Sequence, residues 1–156
     1  MALRNSDIAD FELDYVGEGQ QRRAIEKFVS TNGLEGNVHI HGFVQRESVS
    51  DYLDKDQVFV MISERETFGL VYIEAMSRGC IVVASRNEGM EGIVEDGVNG
   101  FLCNAGDSKE LVTVLNRIAN MSEKELIRIS DNAYNTAFEL TDENVARNYL
   151  GAVLRS

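Results

Sequence analysis

Two short, unbroken apolar runs constrain the fold most: "VFVMI" at 58–62 and "IVVAS" at 81–85. Runs of this length without polar alternation read as parallel strands covered on both faces. Between them, about Phe68 to Arg78 reads as a helix stopped by Gly79. Strand, helix and strand in that order form a parallel βαβ unit. The alternation continues on both sides. In "FELDYV" (11–16), Phe11, Leu13 and Tyr15 alternate with Glu12 and Asp14 before the turn Gly17-Glu18-Gly19. Ala24, Ile25, Phe28 and Val29 recur at helical spacing between Gln20 and Asn32. "NVHIHGFV" (37–44) is a short strand broken at Gly42, and Val49, Tyr52 and Leu53 mark an amphipathic helix over 47–53. A small strand, "FLCN" (101–104), precedes a helical remainder. There, Asp107 with Glu110 and Ser122 with Glu125 fit the capping-box pattern. Leu111, Val114, Leu115 and Ile118 stripe one helix, and Val145, Tyr149 and Val153 the last. The expected class is α/β, with a mostly parallel sheet flanked by helices.

With 156 residues the chain is one ordinary domain in size. Its net charge of −11 argues against a nucleic-acid or anionic-membrane surface, because a phosphate backbone demands clustered Lys and Arg. No run approaches the roughly 20 apolar residues of a membrane span, and "MALRNSDIADFELDYV" has no signal-peptide core. Cys80 and Cys103 have no metal-ligand spacing and read as reduced thiols. Proline is absent altogether, so Gly, Asn, Asp and Ser must make the turns.

Chemistry concentrates in "ERETFGLVYIEAMSRGC" (64–80), which begins where the first buried strand ends. Ligands of open α/β sheets bind beyond the carboxyl ends of strands. Gly69 would let backbone approach a ligand, or would only allow close helix–sheet packing. Ser63 and Glu66 have the spacing of another capping box. Glu74 sits in a helix whose other residues are nearly all apolar, so the helix should be largely buried. Glu74 then either meets a hydrogen-bonding ligand, such as a ribose diol, or lies on one wet stripe with Ser77 and Arg78. Gly17-Glu18-Gly19 is only part of a GxGxxG fingerprint, since position 22 is Arg. His39 and His41 share a strand face, but no third His exists and no acidic partner is evident; they read as ordinary strand histidines rather than metal ligands.

Taken together, "ERETFGLVYIEAMSRGCIVVAS" resembles the signature of the family 4 (group 1) retaining glycosyltransferases, a Glu followed after seven residues by a second Glu. Glu66 and Glu74 match it, with Phe68-Gly69-Leu70 and Glu74-Ala75-Met76 in register. "VGEG" (16–19), "NVHIHGFV" (37–44), "DQVFVMIS" (56–63) and "GMEGIVEDGVNGFL" (89–102) extend the similarity over nearly the whole chain. The resemblance implies a Rossmann-like, donor-binding C-terminal domain of a GT-B enzyme, a single domain over 1–156 with C-terminal helices over 107–155. It implies a UDP- or GDP-hexose as donor, a glycan or lipid acceptor, and a role in polysaccharide biosynthesis. Glu66 would bind the hexose hydroxyls as the catalytic residue and Glu74 the ribose. The backbone of Thr67, Phe68, Gly69 and Leu70 would hold the diphosphate, with Gly17 lining the donor site and Phe43 and Val44 flanking the base. No metal, redox cofactor or nucleic acid is expected.

The family also has an N-terminal acceptor domain, and a first strand with an Arg/Lys loop, which this sequence lacks. Loss of that strand would leave open edges beside 11–16 and 58–62 that invite self-association. Ile81 stands where the family usually has proline. The resemblance places the enzyme in the cytoplasm, peripheral to the inner membrane through the absent domain. Rival readings are a related GT-B epimerase or phosphorylase, or a non-catalytic α/β nucleotide-binding module. A receiver domain is disfavoured because no acidic cluster follows 11–16.

Overall fold

In the computed structural model, residues 3, 8, 10–67, 69–141, 143–145, 147 and 150 are described. They fall into two compact units, Ile8–Tyr52 and the remainder of the chain.

In the smaller unit, β1 (Leu13–Val16) pairs in parallel with β2 (Val38–Gly42), connected by α1 (Arg22–Thr31). α2 (Arg46–Leu53) follows. The register sets Leu13 against Val38 and Asp14 against His39. His41 hydrogen-bonds through Nε2 to the Asp14 carboxylate and packs its ring 4.7 Å from that of Tyr52. The acidic partner not evident from the sequence is therefore Asp14, on the neighbouring strand.

The larger unit contains a three-stranded parallel sheet in the order β3 (Val58–Met61), β4 (Ile81–Ser85), β5 (Phe101–Cys103). α3 (Leu70–Met76) joins β3 to β4, and α4 (Ser108–Ala119) and α5 (Glu123–Glu139) follow. Every residue of β4 and β5 is buried. Ile81, Val83, Phe101, Cys103, Val114, Ile118 and Ile129 form one core. The Ile81 N–H donates to Gln57 at 2.9 Å, a sheet bond that proline could not make.

The structure corrects some local expectations. β3 is an edge strand rather than one covered on both faces, and Val60 is 38% exposed. β1 is likewise at the edge of its sheet among the described residues. α3 is shorter than Phe68–Arg78. It begins after Gly69, whose left-handed backbone (φ 71°) is incompatible with helix, and is over before Ser77. Ser122 and Glu125 complete their capping box. Asp107 caps α4, but Glu110 does not reciprocate: its carboxylate accepts from the Asn104 N–H and from Arg86. Of the stripe Val145, Tyr149 and Val153, only Val145 is among the described residues, and it is exposed.

The loop 86–100 is held internally. Asn99, 7% exposed, accepts from the Glu95 N–H and donates to the Ile93 carbonyl and to the Thr136 hydroxyl of α5. Asp96 accepts from the Leu102 N–H and from Arg117. These bonds assign that glycine-punctuated segment a structural role.

Both cysteines are free and fully buried. Burial pushes the Cys80 thiol from 9.0 up to about 11, with Asp56 and Asp54 adding to the effect. Cys103 is likewise held at about 11 by burial, with Glu110 and Asp107 adding. The unfolded chain releases these protons near pH 9 and the folded chain near pH 11. Between those values the folded state binds more protons, so stability falls as pH rises. Unfolding free energies from urea titration should hold to about pH 8.5 and then decline, by roughly 2–3 kcal/mol per thiol once both pKa values are passed. The Cys80→Ala/Cys103→Ala double variant should lose the decline between pH 9 and 10; an unchanged slope there would assign it to other groups.

Candidate functional site

The sequence-expected residues divide between the two units. Gly17, Phe43 and Val44 lie in the smaller one, at the carboxyl ends of β1 and β2. The Gly17 N–H donates to the Gly42 carbonyl at 2.7 Å, which brings these two strand ends together. Phe43 beside them is 72% exposed and Val44 is half-buried. Arg22, at the position of the third fingerprint glycine, bonds Glu18 and Glu26, and so forms a surface ion-pair group.

Glu66, Thr67, Gly69, Leu70 and Glu74 lie in the larger unit, between the end of β3 and the body of α3; Phe68 lies outside the described residues. The connection is built on Tyr72, which is 1% exposed. Its hydroxyl donates to the Met61 carbonyl and its ring meets Phe59 edge-on, 5.5 Å between centroids. Burial, then the Glu66 charge, pushes its phenol up to about 12. The ring therefore stays neutral as a packing and donor group. Gly69 lies directly on this ring: a Cβ there would come within 2.5 Å of Cδ2.

Tyr72, Ala75 and Met76 turn α3 onto the core. Leu70 and Glu74, one helical turn apart, share the opposite side with Ser77 and Arg78. Leu70 is 58% exposed and Glu74 half-buried, so α3 is not the largely buried helix its composition suggested. It carries its apolar residues partly outward.

Glu66 is half-buried and does not cap α3 with Ser63, because the helix starts later, after Gly69. The Ser63 carbonyl instead accepts from the Ser85 hydroxyl at 2.7 Å. The Glu66 carboxylate accepts from the Thr67 N–H at 3.1 Å. The Glu66 backbone is held on both sides by the loop after β4. Its N–H donates to Glu88 at 2.8 Å and its carbonyl accepts from the Gly89 N–H at 3.1 Å. The Arg65 N–H donates to the other Glu88 oxygen at 3.0 Å. Glu88 escaped the sequence reading, since nothing in "RNEGMEG" marks a partner for a loop 22 residues earlier.

Among the described residues no group of three or more His, Cys, Asp or Glu could hold a metal, and no helix is long and apolar enough to cross a membrane. What the site offers is carboxylates, backbone N–H groups and an exposed leucine, a set suited to hydroxyl-rich, partly apolar ligands.

Known proteins resemble this chain in sequence and in fold. The sulfoquinovosyl transferase SQD2 of Arabidopsis thaliana is 35% identical over 124 residues, 77% of this chain and 24% of that protein. The 2-deoxystreptamine N-acetyl-D-glucosaminyltransferase of Niallia circulans is 31% identical over 78% of this chain and 32% of its own length. The chain thus spans a third or less of these relatives. HepE of Anabaena, solved with UDP-glucose, superposes with a TM-score of 0.81 at 28% identity, over 99% of this chain and 43% of that one. Its parallel α/β fold matches one Rossmann-like half of such GT-B enzymes. Residues 1–136 match the family model described as glycosyl transferases group 1, and the chain belongs to that family.

Proposed function

We propose that this chain binds the donor nucleotide-sugar, such as a UDP- or GDP-hexose, of a retaining glycosyltransferase that makes a glycan or lipid-linked product in the cytoplasm. One observation carries the reading. Glu66 and Glu74, eight positions apart, bracket the turn from β3 into α3 at the carboxyl end of a parallel sheet, with exposed Leu70 beside Glu74. In this reading Glu74 accepts from the ribose diol and Glu66 from the hexose hydroxyls. The backbone around Gly69 and Leu70 faces the diphosphate. UDP and UDP-glucose in the HepE structures, at 26–28% identity, support a nucleotide-sugar as ligand.

In a retaining reaction of this kind the departing diphosphate assists deprotonation of the acceptor on the face it leaves. The protein contributes electrostatic stabilisation of the leaving group. In this reading an acceptor domain and an Arg/Lys loop take part in turnover, so these 156 residues by themselves should bind donor without turning it over. No metal takes part in this scheme. Among the described residues β1 and β3 each have an unpaired edge, and with exposed Tyr15, Val16 and Val60 these edges favour association of chains by strand pairing.

Calorimetric titration with UDP, GDP and ADP and their glucose conjugates should find one base that binds, and its conjugate should bind more tightly. Failure of every nucleotide to bind would sink the donor-site reading. Sedimentation of the same samples should show dimers or larger species; a monomer at all concentrations would remove the association.

A further inference from the structure

We infer that Glu88 is a positioning residue for the sugar side of the donor site, an inference that rests on the donor-binding reading above. Its carboxylate takes two adjacent backbone N–H groups, Arg65 at 3.0 Å and Glu66 at 2.8 Å. Gly89, the next residue, donates to the Glu66 carbonyl. The two loops after neighbouring strands β3 and β4 are thereby locked together around one residue, Glu66. Their backbones show the constraint. Among the described residues, Arg65 and Asn87, each next to a member of the clamp, are the non-glycine residues with left-handed φ, at 64° and 59°. Such conformations cost free energy and persist where surrounding bonds over-determine them.

The clamp also has a chemical consequence. The N–H groups of residues 65, 66 and 67 all donate to carboxylates, two to Glu88 and one to Glu66. A phosphate brought to this stretch would meet two like charges where it needs donors. A sugar hydroxyl can instead donate to the Glu66 carboxylate. Glu88 therefore orients the donor: hexose toward 65–67, diphosphate away from it. It acts through Glu66, by fixing the backbone from which that side chain projects.

The test uses the isotopically labelled 156-residue chain with Glu88→Ala and Glu88→Gln. Without ligand, amide exchange at Arg65 and Glu66 should quicken about ten- to hundred-fold in Glu88→Ala. It should quicken less in Glu88→Gln, which keeps one acceptor oxygen, while amides of Val83 and Ile129 stay unchanged. Titrated with UDP and UDP-glucose, Glu88→Ala should keep its affinity for UDP and lose most of the extra affinity for UDP-glucose. Unchanged exchange at Arg65 and Glu66 would overturn the clamp whatever binds. Equal weakening of UDP and UDP-glucose would overturn the sugar-side role and leave Glu88 merely structural. Should the unsubstituted chain bind neither, the same comparison is made with GDP and ADP and their glucose conjugates; if none binds, the donor reading and the sugar assignment fall together, and the exchange data alone decide the clamp.

Discussion

Glu74→Ala should fold as the parent chain does and bind the nucleotide-sugar about a hundredfold more weakly. The size of the effect follows from what a carboxylate does with a diol. Two hydroxyls donating to one ionised acceptor make two charge-assisted hydrogen bonds, each worth about 1.5–3 kcal/mol. Water recovers part of that in the variant, leaving a net loss of about 2–3 kcal/mol, close to two decades in affinity. Folding should hardly change, because Tyr72, Ala75 and Met76 carry the packing of α3 and Glu74 lies on the far side. Glu74→Gln keeps the shape and one acceptor, and should fall between. The discriminating control is a 2′-deoxy nucleotide-sugar. It should bind the unsubstituted chain more weakly and lose less in Glu74→Ala than the ribose donor does, since the missing hydroxyl has already removed one of the two bonds. If the variant binds both donors as the parent does, Glu74 is a surface residue and the ribose assignment is wrong.

How far the sequence led can be argued from single elements. β4 was legible because five consecutive apolar or small residues admit one environment, and all five are buried. The same logic misjudged β3. Apolar composition reports that a strand can be covered, whereas its neighbours decide whether it is, and the described sheet leaves Val60 at an edge. α3 was placed but overextended, because a glycine inside an apolar period gives no sign of its φ, and only the left-handed Gly69 sets the start. The outward face of Leu70 and Glu74 could not be chosen from a helix that is apolar nearly all round.

Long-range partners were the least legible. Asp14 and His41 are 27 positions apart, and the pairing appears only once the register of β1 on β2 is laid out. Glu88 is harder still, since a carboxylate that holds backbone N–H groups leaves no trace in side-chain spacing. The pair Glu66 and Glu74 stood out as a candidate site only through its match to a family pattern. Physical spacing alone left the solvent-facing alternative open.

The stability of the site's scaffold rests on Gly69, and Gly69→Ala should cost about 2–4 kcal/mol. Two effects add. Alanine is strained at φ 71°, by about 1 kcal/mol relative to glycine. Its methyl would also come within 2.5 and 2.7 Å of Tyr72 Cδ2 and Cε2. The ring cannot swing aside cheaply: it is fully buried, pinned by its hydroxyl to the Met61 carbonyl, and seated edge-on against Phe59. For a chain of this size the melting temperature should drop by about 5–15 °C. Gly19→Ala, where nothing lies within 4 Å of the added carbon, should be near neutral and controls for generic glycine effects. The two contributions separate in a cycle with Tyr72→Ala. In that background the ring clash is gone, and Gly69→Ala should cost the backbone strain and the milder 3.3 Å approach to Glu66 Cγ. Equal costs in both backgrounds would show that the ring is not what the glycine accommodates. The start of α3, and with it the positions of Leu70 and Glu74, would then be set by the backbone of 69 alone.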